Sequence, residues 1–274
     1  EELGFAMEQL LSGGALDVTS LTATVAQYGY FVRVSDVLDL TAIDNVIVEA
    51  TQLLGAQAGV TMDTVVRNQL SAGNNVLFCP TVASGTETAV TQRKNMNTTS
   101  QLTVKMIQKA VATLKKNNVP TFNGDYVAII HPYVAYDLQR DPEWIDAHKY
   151  AQPENLFTGE IGKVAGVRFV ESTEAKVWKD SDCPQKSAGS GSDPATYYGV
   201  FSTLVLGKNA YGVTEVTGGG LQTIVKPLGA GEDPLNQRST VGWKGILTAK
   251  ILLEQNMVRI ESVSAEWSGT VDAN

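Results

Sequence analysis

The stretch at residues 126–170 reads YVAIIHPYVAYDLQRDPEWIDAHKYAQPENLFTGEIGKVAGVRFV. It opens on a short strand-like run, Tyr126–Ile130. His131-Pro132 follows, and Pro132 suits the first helical position, where no amide hydrogen is needed and φ is already right. Tyr133–Arg140 then reads as a helix, and Val167–Val170 closes the segment as a strand. The order strand, His-Pro, helix, Gly-Glu-Ile-Gly, strand carries no recognisable catalytic chemistry.

Upstream, residues 42–72 read as one long helix. Apolar residues recur at 43, 46, 47, 50, 53, 54, 58, 62, 65, 66 and 70, the spacing of a buried stripe. Thr41 is expected to cap its start, with Asp44 three residues on. Gly73-Asn74 is expected to stop it. At 1.5 Å per residue the helix would be roughly 45 Å long. Gly55 and Gly59 sit four apart and would let another backbone approach, or mark a kink or break. Asp63 and Arg67, also four apart, read as a helix-surface ion pair. Residues 18–34 alternate polar and apolar with many β-branched side chains, a strand pattern that Gly29 interrupts. Leu3–Leu11 is a short amphipathic piece ended by Gly13-Gly14.

Downstream, residues 76–99 read as loop. Residues 104–117 form a helix with Thr103 as cap and Ile107, Ala110, Val111 and Leu114 as its stripe. Residues 180–195 form a Gly/Ser/Pro-rich surface loop. Strands are expected at about 197–206, 209–216 and 221–227. Val241–Leu253 and Met257–Val263 read as β-like runs, the first open to a helical reading because its period is ambiguous. The tail from Ser264 is expected to be extended.

The chain has 274 residues, 43% hydrophobic and 18% charged, which fits a globular protein and excludes a disordered one. No apolar run approaches the roughly 20 residues that span a bilayer, and no signal-peptide pattern is present. The net charge of −8 argues against sequence-specific DNA binding. The densest bases, Lys105, Lys109, Lys115 and Lys116, fall on one helix and read as a solvated face. Cys79 and Cys183 make no disulfide framework, and free thiols in a reducing compartment are expected.

The search for chemistry returns little. There is no phosphate loop of the Gly-x-x-x-x-Gly-Lys-Ser/Thr kind. Gly218-Gly219-Gly220 reads as a turn and Gly189-Ser190-Gly191-Ser192 as a linker, not as nucleotide or nucleophile motifs. His131 reads as a helix cap and His148 as a surface helix residue, and neither has a partner at metal-site spacing. Asp141, Glu143 and Asp146 near Trp144 could form a sugar site, but acids at a helix start are the simpler reading. Asn97-Thr98-Thr99 has the form of a glycosylation sequon. No catalytic, cofactor or metal residue is assigned.

Four blocks carry a resemblance: residues 126–170, DLTAIDNVIVEATQLLGAQAGVTMDTVVRNQL at 39–70, GKNAYGVTEV at 207–216, and DPLNQRSTVGWKGILTAKILLEQNMVRIESV at 233–263. In this order the chain resembles the major capsid proteins of tailed phages of the coliphage N-four type, which have the Hong Kong-97 coat-protein fold. The resemblance implies an α+β fold with a long spine helix and a split domain. Residues 1–35 would be the remnant of an N-terminal arm and extended loop, residues 36–75 plus 238–274 a peripheral domain, and residues 76–237 an axial domain. It implies no enzyme and no cofactor. The expected partner is the chain itself, in pentamers and hexamers of an icosahedral shell around double-stranded DNA, touched without sequence specificity. Scaffold, portal and decoration proteins are further expected partners, and no membrane is. The virion would be the destination and the bacterial host cytoplasm the place of assembly. Glu160 and Arg168 match the family pattern and are expected to pair structurally or between subunits. The segment 18–34 is expected to complete a contact with a neighbouring subunit. The stretch before Leu21 is shorter than the family's, which implies an extended loop that is reduced, missing from this sequence, or rebuilt by the piece at its start. An encapsulin-type nanocompartment shares the fold and is the runner-up; a small hydrolase or sugar-binding enzyme around Asp141, Glu143 and Trp144 is the reading from another class.

Overall fold

The computed structural model describes residues 20–41, 45–151, 162–186, 197–214, 219–230, 233 and 235–274. Among these, the chain builds a seven-stranded sheet, a three-stranded sheet, and helices that cover them. The large sheet runs β2 (Val76–Phe78), β14 (Met257–Val263), β9 (Val200–Leu206), β5 (Tyr126–Ile130), β7 (Val167–Glu171), β6 (Lys163–Val164), with β8 (Val177–Trp178) pairing β9 off this path. β14 lies antiparallel to β9 and parallel to β2, and β5 lies antiparallel to β9 and parallel to β7. β9 and β14 are buried along their whole lengths. That is the pattern of strands covered on both faces.

One face of this sheet meets α3 (Val104–Lys116) and α4 (Pro132–Gln139). Ile107, Ala110, Val111 and Leu114 of α3 join Ala128, Ile130, Val134, Leu138, Val205, Val258 and Ile260 in the main core. The opposite-facing residues Ile129, Leu204, Leu206 and Met257 gather with Leu70 and Val66 of the long helix α2 (Val46–Leu70). The alternation along β5, β9 and β14 thus divides the apolar side chains between two helical layers. Pro132 does begin α4, and α5 (Pro142–Ala151) follows it.

The long helix is real but shorter than its sequence pattern. It has 25 residues and a length of about 37 Å. Thr41 does not cap it: its hydroxyl donates to Val37 O within a separate helix, α1 (Asp36–Thr41). Asn45 is the cap, its side chain accepting from Val48 N; Asp44 lies outside the described residues. The stop comes at Ser71, whose N–H donates to Arg67 O, ahead of Gly73. Gly55 and Gly59 neither break the helix nor admit a neighbour from within the subunit; a Cβ on either would meet nothing within 4 Å. Arg67 pairs with Glu174 (3.4 Å) and not with Asp63, because it points from the helix onto the loop after β7.

The second sheet packs β12 (Arg238–Leu247) between β1 (Ala26–Ser35) and β11 (Gln222–Lys226), all antiparallel. Val241 and Trp243 bury against Leu54 and Ala58 of α2, and Trp243 Nε1 donates to Gln57 (2.8 Å). Gly29 does not interrupt β1. It pairs with Lys244, and a Cβ there would stand 2.8 Å from Trp243 O, so the glycine permits the pairing. The strand reading of 241–253 prevails over the helical one, as β12 and β13 (Ala249–Ile251), the latter paired with β10 (Tyr211–Val213).

Two further expectations fail for physical reasons. Residues 76–99 are not all loop: β2 extends the large sheet and β3 (Thr81–Ala83) pairs β4 (Thr86–Thr88). The tail from Ser264 is turned, with Thr270 N donating to Trp267 O and Trp267 stacked on Tyr133 at 4.7 Å. β12 belongs with α2, but β14 is hydrogen-bonded on both edges inside the large sheet. Leu3–Leu11, Val18-Thr19, Glu160 and the glycines 189 and 191 lie outside the described residues.

Candidate assembly surface

The residues that could have carried chemistry are used for structure. Asp141 accepts from Val104 N (2.8 Å) and from Glu143 N (3.1 Å), so one carboxylate serves the first turns of α3 and α5 together. Thr103, the expected cap of α3, makes no side-chain cap bond. Trp144 is buried and meets Phe169 edge to face at 6.0 Å. It offers no platform for a sugar, and Glu143 and Asp146 face solvent. His131 Nδ1 accepts from Tyr133 N, which requires that nitrogen to be unprotonated, and burial lowers the imidazole pKa in the same sense. His148 lies on α5 and its side chain falls outside what is described. Cys79 and Cys183 are both free and buried. Burial raises both thiol pKa values, Cys183 to about 12, so neither offers a thiolate. Asn97 Oδ1 accepts from Thr99 N and Oγ1, a local turn. Arg168 is exposed on β7.

The strongest polar assembly in the interior is a charged knot. Glu261 on β14, fully buried, receives Arg93 through two bonds (Nε 2.7 Å, Nη2 2.8 Å) and Arg259 Nε at 3.0 Å. The Arg93 guanidinium lies 3.9 Å from the Trp178 ring centre. Arg259 also donates to Ser71 O and to Gly73 O, where α2 ends. It thereby satisfies carbonyls that the helix leaves unpaired and ties the long helix to the middle of the large sheet.

What remains unsatisfied is apolar surface. Large hydrophobic side chains are exposed mainly along two stretches, 21–60 and 221–253. Leu40 is 84% exposed and Leu53 69%, with Phe31, Val37, Val48, Ile224, Val225 and Leu235 among the others. These lie on α1, on the outer side of α2 and on the second sheet. β1 and β11 are both edge strands among the described residues, and every residue of β11 is exposed. Open edges with apolar side chains are a hazard for a monomer and a ready-made surface for association.

The outer face of that sheet has a chemistry of its own. Because Val241 and Trp243 face α2, their neighbours Thr240, Gly242 and Lys244 face away. Register then places Arg33, Phe31 and Gly29 of β1 and Lys226, Ile224 and Gln222 of β11 on the same outer side. Phe31 and Ile224 flank Gly242, leaving a groove of about 440 Å³. A Cβ on Gly242 would stand 2.8 Å from the Phe31 Cβ. Arg238, in the same alternation, brings the cations to four, and none of the three strands contains Asp or Glu. No basic run in the sequence marks this face, since its four cations come from three distant segments. The only sequence signal is the absence of acids from three strand-like stretches of an acidic chain.

A family model described as phage capsid protein matches residues 28–233. No curated protein sequence matches the chain. Among solved structures, the capsid of the cyanophage P-SCSP1u is similar with a TM-score of 0.63 at 18% identity, covering 93% of this chain and 81% of that one. The capsid of Helicobacter pylori bacteriophage KHP30 gives 0.61 at 14% identity, covering 87% and 75%. The SrpI encapsulin of Synechococcus elongatus PCC 7942 gives 0.52 at 11% identity, covering 90% and 77%. At these identities the likeness is one of fold.

Proposed function

The chain belongs to the phage capsid protein family, and from that premise we propose that it is a major capsid protein that assembles with copies of itself into the shell of a virion. The fold is the Hong Kong-97-type coat-protein fold, α+β, and the protein's role is structural, not enzymatic. The observation that carries the reading is the family match across 28–233, which takes in most of the exposed β1 and every strand of the large sheet except β14. The enzyme reading around Asp141, Glu143 and Trp144 loses its ground, because Asp141 caps two helices and Trp144 is interior. The fold is common to capsids and to an encapsulin, and the family match favours the phage.

Finer points rest on the sequence blocks. Within the family, these blocks resemble the coliphage N-four type. The subunit forms pentamers and hexamers, meets scaffold, portal and decoration proteins, and lies against double-stranded DNA without reading it. Assembly takes place in the host cytoplasm. The peripheral part comprises residues 36–75 plus 238–274, with α2 and β12, and the axial part residues 76–237, with α3 and α4. Many weak contacts per subunit would add up through multivalency, and heterologous contacts close into rings when the rotation permits. Negative-stain electron microscopy of the purified protein at physiological salt tests this. Capsomer rings or closed shells are expected. A monomer that persists at high concentration would overturn it.

A further inference from the structure

We propose that the outer face of the three-stranded sheet binds the chain's own acidic, apolar segment Glu1–Leu11. The face presents Arg33, Lys226, Arg238 and Lys244 around a groove floored by Gly242 and walled by Phe31 and Ile224. A partner must therefore bring acids and apolar side chains together. Residues 1–11 read EELGFAMEQLL: Glu1, Glu2 and Glu8 are acidic, Leu3, Phe5, Leu10 and Leu11 are apolar, and no Lys or Arg lies between Glu1 and Val32. The segment and the face are complementary in sign and in hydrophobic character.

Reach and local concentration favour the same chain as the source. The stretch from Leu11 to Ala26 can span at most about 50 Å, whereas a strand of the length of β1 covers roughly 34 Å. Gly13-Gly14 allows the direction to reverse within that stretch. A short linkage holds an attached segment at an effective concentration of about millimolar, which few free partners match. Nucleic acid is the other chemistry a cationic face could take. Phosphates, however, have no use for an apolar groove, and the Arg33 guanidinium lies over the Phe31 ring at 5.4 Å, aligned with that groove. The proposal does not depend on shell formation.

The test uses the full chain with Phe5→Cys and Ile224→Cys, joined by a short bismaleimide; the native thiols are buried and stay out of the reaction. Mass spectrometry of the digest separates links within one chain from links between chains. An intrachain link is expected, its yield falling about fivefold or more in 1 M salt, where charge attraction is screened. The triple change Arg33→Glu, Lys226→Glu, Lys244→Glu should lower it as much, with circular dichroism confirming the fold. The salt titration on the unreversed protein stands by itself should the triple variant not fold. Interchain links alone would overturn the proposal in favour of a second copy. A yield indifferent to salt would overturn it too. So would a short DNA duplex that binds this face while no link forms.

Discussion

The Glu261 carboxyl is fully buried, and two guanidiniums, those of Arg93 and Arg259, donate to it. Removing one member of such a group leaves the others buried and unpaired, which costs about 3–5 kcal/mol. Glu261→Gln should therefore lower the urea midpoint by the equivalent of several kcal/mol. Lys105→Ala, which breaks the exposed pair with Glu87, should change stability by less than about 1 kcal/mol. Equal effects would show that the knot is no more than another ion pair. Asp137 on α4 behaves in the opposite way. Burial, opposed by the Ser264 hydroxyl and reinforced by the charge of Glu266, raises its carboxyl to about 6 from the ordinary 3.8. Between those values the folded protein holds a proton that the unfolded chain has released. Stability from this site is thus fully present below about pH 4 and is lost as pH rises through 6. Asp137→Asn should raise Tm at pH 7.5 and change it little at pH 4. A gain of the same size at both would mean that the carboxyl does not titrate in this range.

At the scale of elements, α3 shows how a helix can be legible while its fastening is not. Its stripe of Ile107, Ala110, Val111 and Leu114 was evident from spacing, because helical period is a local property. Thr103 stood at the expected cap with a suitable side chain, yet the bond comes from Asp141, which the turn after α4 delivers to the same place. No window along the chain joins residues that far apart. Since each cap contributes about 1 kcal/mol, Asp141→Ala should cost about 2 kcal/mol and Asp141→Asn distinctly less. Urea unfolding of both variants measures this, and a loss no greater than that of Asn45→Ala would show that only one helix depends on Asp141. The same limit explains β1. A glycine within a strand pattern reads as an interruption, but here the partner strand comes so close to Gly29 that a side chain would not fit.

For the whole molecule, the decisive contrast lies between a well-filled interior and a poorly covered periphery. Strands β9 and β14 of the large sheet are buried on both faces by their own chain, while α1, the outer side of α2 and the small sheet leave large apolar side chains in water. A shell subunit needs the first to fold and the second to associate. Deletion of residues 18–30 should separate them. It removes the half of β1 that pairs with Trp243–Leu247 and leaves every strand of the large sheet intact. We expect no particles by electron microscopy, together with a cooperative thermal transition and retained circular dichroism from the remaining core. Intact particles from that deletion would refute a role for β1 in assembly.

The sequence by itself determined the local periods: the long helix, the α3 stripe, His131-Pro132 at the head of α4, and the ordered blocks that place the chain among capsid proteins. It did so because a helical or strand period depends on neighbours a few residues apart. Only the tertiary structure decided that β14 sits inside the large sheet, that Arg93 and Arg259 share Glu261, and that Arg33, Lys226, Arg238 and Lys244 form one cationic face on an acidic protein. Those arrangements depend on strand order and register, which bring together residues up to about two hundred positions apart. Hydrophobic burial selects among such pairings only when the whole core closes.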